Sequence, residues 1–238
     1  WSLWVSAMAH LMDELVRKGI DHRQFLTPRR CLREPIPEIF MAAHLLDRAV
    51  GAHLAGDRAA AIALFRRADL PPVRAFTEML WGGAAKNPEQ WRYIRKRSVP
   101  ETPENVPKNQ RLKQTQPSTA EKRIIVARDG HHCVFCGMPV IRAEVRAAID
   151  RAYPEARIWG GTNETQHAAF QCLWLQYDHV LPRAKGGDNS PANVVVTCAP
   201  CNYGRNELTL DEVGVLDPRN FPLFRTSWDG LERFLSAG

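Results

Sequence analysis

Apolar residues follow a helical period through the first third of the chain. Trp1–Lys18 carries its apolar side chains on one helical face and charged ones elsewhere, which predicts an amphipathic helix. The same period predicts a second helix over Pro37–Ala55. A third is predicted over Asp57–Ala68, where a following pair of prolines forbids continuation. We therefore predict a helical domain over residues 1–90.

The pattern changes in the second half of the chain. The β-branched run in Arg123–Ala127 predicts a strand, and the apolar residues of Leu173–Val180 predict a buried strand. Between them, apolar positions recur at helical spacing from Ile141 to Ala152, before a proline stops them. Strands mixed with helices predict the α+β class, with a C-terminal domain over residues 123–238.

The stretch between the two predicted domains has a different composition. From Arg92 to Arg123 there are nine Lys or Arg against three Glu, among many Pro, Gln, Asn and Thr residues. Such a segment cannot bury enough apolar surface to fold alone, so residues 91–122 are predicted to be a basic linker. Its Lys and Arg side chains either lie along a phosphate backbone or are merely solvated, and the composition favours neither interpretation.

Four of the six cysteines stand in two closely spaced pairs, Cys133-x-x-Cys136 and Cys198-x-x-Cys201. Two such pairs can supply four thiolates to one tetrahedral Zn²⁺, and four protein ligands leave no open position for water. We therefore predict a structural zinc site. Thiolates kept reduced for metal also favour an intracellular, cytoplasmic protein. The remaining Cys31 and Cys172 receive no role.

Residues suited to phosphodiester hydrolysis lie between and just after these pairs. His179 can take a proton from water near neutral pH, as a general base does. Asp178 and Asn202 offer oxygen ligands to one Mg²⁺ or Mn²⁺. Asn193 is predicted to fix the loop and the orientation of His179. Neighbours on a regular strand face opposite sides, so Asp178 and His179 share a site only if the strand ends or twists there.

Two basic residues, Arg205 and Lys185, complete the predicted site. Pro200 suits the first turn of a helix that begins at the second cysteine pair, which places Arg205 about one turn after Asn202. We expect Arg205 to contact a phosphate of the substrate. Lys185 precedes the flexible Gly186-Gly187 loop and is expected to bind phosphate as well.

The order of these elements from Gly130 to Leu210 resembles the HNH endonuclease family, in its branch where four cysteines hold a zinc. The resemblance implies a ββα-metal fold and a DNA endonuclease that leaves a 5′ phosphate and a 3′ hydroxyl. The last motif position, often histidine in that family, is Asn202 here, so the chain is similar to the HNN form. An asparagine oxygen still suits a hard cation.

Charge and organisation leave two further hypotheses. A net charge of +6 and a pI near 9.2 suit DNA as a partner, but a zinc module that binds nucleic acid without cutting it would look similar. The zinc module would not need four further motif residues, so their simultaneous presence favours the enzyme: Asp178, His179, Asn193 and Asn202. The helical domain is interpreted as a module that delivers the nuclease to a protein partner, for example in phage defence or restriction. The sequence predicts no membrane span.

Overall fold

The computed structural model describes residues 29–81 and 96–237 of the chain. Their α-helices are α1 (Pro37–Leu54), α2 (Arg58–Arg67), α3 (Pro71–Leu80), α4 (Thr119–Asp129), α5 (Ala143–Ala152), α6 (Ala168–Cys172), α7 (Ala199–Arg205) and α8 (Leu210–Val213). The strands are β1 (Leu175–His179) and β2 (Val194–Cys198). Short 3₁₀ helices cover Lys108–Gln110, Pro154–Ala156, Asn163–Thr165, Arg183–Lys185, Pro218–Asn220 and Glu232–Ala237. The α+β prediction is confirmed; the predicted helix Trp1–Lys18 lies outside the described residues.

Helices α1 and α2 confirm the two helices that the helical period predicted, and they pack together as a hairpin. Asp57 caps α2, because its carboxylate accepts a hydrogen bond of 2.9 Å from the backbone N–H of Ala60. Gly56 before it has φ +77°, a left-handed turn conformation that suits glycine. Helix α3 begins at Pro71, whose fixed φ is compatible with a first helical turn. In both described ranges, no helix has the length and apolar composition that a bilayer span requires.

The predicted strand over Arg123–Ala127 is wrong, since these residues lie within helix α4. A capping box starts the helix: Ser118 Oγ accepts from the N–H of Glu121, and the Glu121 carboxylate accepts from the N–H of Ser118. The buried residues of α4 are Ile125 and Asp129, four positions apart, which is a helical and not an alternating spacing. The local cap and one buried contact therefore outweigh the strand preference of the β-branched run.

The two strands pair antiparallel and lead directly into helix α7. In their register Asp178 lies opposite Val195 and His179 opposite Val194. Every residue of β2 is buried, and α7 packs against both strands. This strand–strand–helix order is the one that the resemblance implied, and the predicted strand over Leu173–Val180 is confirmed in β1. The helix predicted between Ile141 and Ala152 is confirmed as α5.

The helical hairpin and the C-terminal region share one hydrophobic core. The ring of Phe65 on α2 lies 5.1 Å from that of Tyr153, and its carbonyl oxygen lies 2.8 Å from Nε2 of the buried His167. At the end of α2, Asp69 accepts a 2.7 Å hydrogen bond from the N–H of Ala168, the first residue of α6. The domain division at residues 90 and 122 stays a prediction, but these contacts make separate folding of the C-terminal region costly.

We expect Phe65→Ala to destabilise the whole described structure. The side chain is fully buried between the hairpin and Tyr153, so its removal leaves a cavity and should lower the free energy of unfolding by about 3–5 kcal/mol. Phe40→Ala on α1 is the matched control, because Phe40 is 47% exposed and should cost about 0.5 kcal/mol. Denaturant unfolding of both variants measures this. Equal costs would contradict the shared core.

Candidate functional site

The four paired cysteines come together in one buried cluster. The sulfurs of Cys133, Cys136, Cys198 and Cys201 all lie within 4.8 Å of one another, and those of Cys136 and Cys198 are 3.7 Å apart. A tetrahedral zinc with metal–sulfur bonds of about 2.3 Å has sulfur–sulfur edges of about 3.8 Å. The arrangement of these four residues therefore fits a zinc ion.

Different parts of the fold supply the two cysteine pairs. The first lies on a turn in which the N–H of Gly137 donates to the carbonyl of Cys133, at 2.8 Å. The second lies where β2 ends and α7 begins, with Cys198 as the N-cap residue of the helix. Burial, and then the neighbouring sulfur of Cys133, raise the pKa of Cys198 well above its usual range. A bound cation would reverse that shift, so metal binding and folding are coupled here.

Asp178 on β1 is paired with Arg205 on α7. Both carboxylate oxygens accept from the guanidinium, through Nε at 3.2 Å and through Nη2. Arg205 also donates to the carbonyl oxygens of His179 at 2.6 Å and Leu208 at 2.7 Å. Burial raises the pKa of Asp178, and the charge of Arg205 opposes that shift. The result is a hydrogen-bonded ion pair that ties the strand to the helix.

This placement differs from the one expected for Arg205. Its side chain is 2% exposed, and its donors are occupied by Asp178 and by backbone carbonyls, so as placed it does not reach a phosphate at the surface. The spacing of three residues from Asn202 on one helix is as predicted. This spacing along the helix does not reveal that the carboxylate of Asp178, on the facing strand, pairs with the guanidinium of Arg205.

Asn202 faces the same strand one helical turn before Arg205. Its side-chain nitrogen donates to Oε1 of Gln176 at 3.3 Å, which leaves the amide oxygen as the atom suited to a metal ion. Gln176 and Asp178 are alternate residues of β1 and share its face toward α7. The structure therefore puts both predicted metal ligands, Asp178 and Asn202, on one side of the sheet, between β1 and α7.

His179 is the last residue of β1, and the chain bends at Val180 directly after it. The strand therefore ends where a site shared by Asp178 and His179 requires it to end. Nε2 of the ring lies 2.7 Å from Oδ1 of Asn189, while the amide nitrogen of Asn189 donates to the carbonyl of Gln114 at 2.9 Å. A carbonyl only accepts, so this second bond fixes the amide with its oxygen toward the ring. Nε2 must then carry the proton, and Nδ1 is the nitrogen left to act as a base.

Asn189 is a site residue that the sequence analysis missed. It lies ten positions after its partner His179, in a loop whose glycines and polar residues indicate only turn chemistry. Asn193 holds that loop closed: its oxygen accepts from the N–H of Leu181 at 2.9 Å, and its nitrogen donates to the carbonyls of Leu181 and Asp188. The Asn193 amide therefore supports His179 through the loop that carries Asn189.

Gly187 allows this loop to close tightly. A Cβ atom at this position would lie 1.8 Å from the carbonyl oxygen of Leu181, a distance that no side chain tolerates. The glycine pair therefore serves a close backbone approach within the loop. The expectation that it also brings the loop close to a phosphate backbone stays a prediction.

Residues 96–118 of the predicted linker, which precede α4, pack against this loop. The N–H of Val106 donates to the carbonyl of Ala184, and Lys185 Nζ donates to the carbonyl of Pro103, both at 2.8 Å. With the bond between Gln114 and Asn189, these contacts make residues 96–118 a strap across the loop. Lys185, predicted to bind phosphate, is half-exposed and already has one partner here.

Comparison with known proteins identifies a family over this part of the chain. Residues 168–213 match the model of the HNH endonuclease family, from α6 through both strands and α7 to α8. This match confirms the family resemblance over the C-terminal region, where the motif residues lie. No curated protein and no solved structure matches the chain.

We expect Cys198→Ser to release zinc and loosen the C-terminal region. Structural zinc binding contributes on the order of 10 kcal/mol of folding free energy in small zinc modules. Cys198 is the last residue of β2, and its sulfur lies within 4.8 Å of the other three sulfurs. Cys172→Ser is the control, because Cys172 is equally buried but outside the cluster. Elemental analysis and thermal unfolding measure the effect. Metal-free, fully folded wild-type protein would contradict the zinc assignment.

Proposed function

We propose that this protein is a divalent-metal-dependent HNH endonuclease that hydrolyses phosphodiester bonds of DNA. The observation that carries the proposal is the ring of His179, held by Asn189 with Nδ1 free, within the segment that matches the family. The net charge of +6 favours a polyanionic substrate. The products in this proposal are a 5′ phosphate and a 3′ hydroxyl, as the family resemblance implies.

His179 is the general base in this proposal. Burial lowers its pKa, and the hydrogen bond that the ring donates to Asn189 only partly offsets that shift, so the ring is neutral at pH 7. A neutral ring with its proton on Nε2 takes a proton from water at Nδ1, and the water oxygen attacks phosphorus. The bond between phosphorus and the 3′ oxygen breaks, and the 3′ oxygen takes a proton from solvent to become the 3′ hydroxyl. Because Asn189 stays bonded to Nε2–H, it also stabilises the imidazolium that forms.

Asp178 and Asn202 are the proposed ligands of a Mg²⁺ or Mn²⁺ ion. The carboxylate has about four acceptor sites, of which Arg205 uses two, so Asp178 can still ligate an ion while paired. When bound, such an ion would neutralise charge that develops on phosphorus and on the leaving 3′ oxygen. Arg205 already balances the charge of Asp178, so we expect the substrate phosphate to supply both further oxygen ligands and the negative charge that the ion needs. Arg205 is then a positioning residue for Asp178.

The alternative is a zinc module that binds nucleic acid without cutting it. Such a module has no need of a buried histidine whose tautomer is fixed by two successive hydrogen bonds, through Asn189 and Gln114. This network therefore favours the enzyme. The helical unit over residues 1–90 remains, in this proposal, a module for a protein partner in phage defence or restriction. Buried contacts such as that of Phe65 with Tyr153 would hold a bound partner rigidly relative to the nuclease.

We expect His179→Ala to abolish most cleavage while DNA binding persists. The change removes proton abstraction but no zinc thiolate, so the rate should fall by about 10²–10⁴-fold. His44→Ala is the matched control, since His44 is an exposed residue of α1. Nicking of supercoiled plasmid with and without Mg²⁺ or Mn²⁺ gives the rates. Wild-type nicking by the His179 variant would favour the non-catalytic module.

Asn202→Ala should respond differently to metal. It removes a proposed ligand and no base, so the lost activity should return in part as the Mg²⁺ or Mn²⁺ concentration rises. The His179→Ala defect should not respond in this way. Plasmid nicking across a metal titration compares the two variants. A defect in Asn202→Ala that no metal concentration relieves would argue against its role as a ligand.

A further inference from the structure

A cavity of about 290 Å³ lies at the start of β1, where Trp174 and Leu175 run beside Ile141. Its walls include Trp174, Gln176 and Tyr177 from the strand region, Lys122 from α4, Arg142 before α5, and Gln116 from the end of the strap. We propose that this cavity binds one unpaired nucleobase of the nucleic acid strand that the nuclease cuts. The inference rests on the proposed function and specifies its substrate as a strand with at least one unpaired base.

Trp174 provides the stacking surface. Its ring packs edge-on against Trp159 at 5.6 Å, and the guanidinium of Arg146 lies over both rings, 4.7 Å from the Trp174 centroid and 3.5 Å from that of Trp159. These contacts fix the ring before any ligand binds, while Trp174 itself stays half-exposed. A base that stacks on a ring already held in place costs little conformational entropy to bind.

The polar walls suit a nucleotide. Gln116 and Gln176 offer carboxamides, whose donor and acceptor atoms match the edges of any base. Lys122 lies 5.1 Å from the ring centroid of Tyr177 and brings a positive charge to the rim, where a backbone phosphate would lie. The volume is at the lower end of ligand sites, which suits a single base better than a base pair.

The cavity shares one residue with the surroundings of the proposed metal site. Gln176 is a wall of the cavity and also accepts the hydrogen bond from Asn202. Trp174 immediately precedes β1 and alternates with Gln176 and Asp178, and its ring lies 6.3 Å from that of Tyr203 on α7. At roughly 3.3 Å per residue, Trp174 and Asp178 are about 13 Å apart. A base in the cavity therefore belongs to a nucleotide close to the bond being cut. Since a base held there cannot pair, the bound strand is unpaired at that position.

The test measures binding by the full chain, zinc-loaded and carrying His179→Ala so that the strand stays intact. Fluorescence anisotropy compares a labelled oligothymidine strand with the same strand annealed to its complement. Trp174→Leu removes the aromatic face but keeps apolar bulk, and Trp174→Phe restores a ring. Trp159→Leu is the control for packing, because Trp159 contacts Trp174 and Arg146 without lining the cavity.

We expect Trp174→Leu to weaken single-strand binding by about tenfold or more, in line with the loss of one stacked base. Duplex binding should change less than about twofold, and Trp174→Phe and Trp159→Leu should stay near the parent, with zinc content unchanged in all variants. The inference is overturned if Trp174→Leu binds the strand as the parent does, or if Trp159→Leu or Trp174→Phe loses as much.

The two proposals fail separately. Absence of plasmid nicking by the wild-type protein overturns the nuclease and leaves the strand-binding result standing. Unchanged strand binding by Trp174→Leu, in a protein that nicks plasmid, overturns the cavity assignment alone.

Discussion

The cysteine cluster is the constraint on which the rest of the site depends. Two of its sulfurs lie on the turn at Cys133–Cys136, and two lie where β2 becomes α7. A zinc ion bound here would fix the direction in which α7 leaves the sheet, and with it where Asn202 and Arg205 face β1. A two-stranded sheet has little stability of its own, and such a metal-held junction would supply what the small sheet lacks.

Charge balance organises the side of the sheet that the cluster positions. The pair of Asp178 and Arg205 is buried, and an unpaired charge in either place would be costly. Because the pair is neutral, the proposed divalent ion would give this side of the sheet a net positive charge, and a phosphate is the natural counter-charge. In the proposed function metal and substrate binding are therefore cooperative, while His179, at the end of the strand, depends on a separate hydrogen-bond network through Asn189.

Segments distant in the sequence complete the functional region. The strap over residues 96–118 fixes the amide of Asn189 through the carbonyl of Gln114, although its basic, proline-rich composition is typical of a linker. The helical hairpin shares the core of the C-terminal region through Phe65. Both segments therefore affect the geometry of the site.

The sequence by itself determined the elements whose signals are local. Cysteine spacing predicted the sulfur cluster, helical periodicity predicted α1, α2 and α5, and the motif around His179 predicted the family that residues 168–213 match. The tertiary structure alone decided which side chains meet. It paired Arg205 with Asp178, since a facing strand offers a buried carboxylate. It also buried one face of the β-branched run after Ser118, and this burial together with a local capping box outweighs the intrinsic strand preference. Contacts between residues far apart in the chain leave no periodic trace in the sequence. The role of Asn189 therefore follows only from its contacts with His179 and Gln114 in the folded chain.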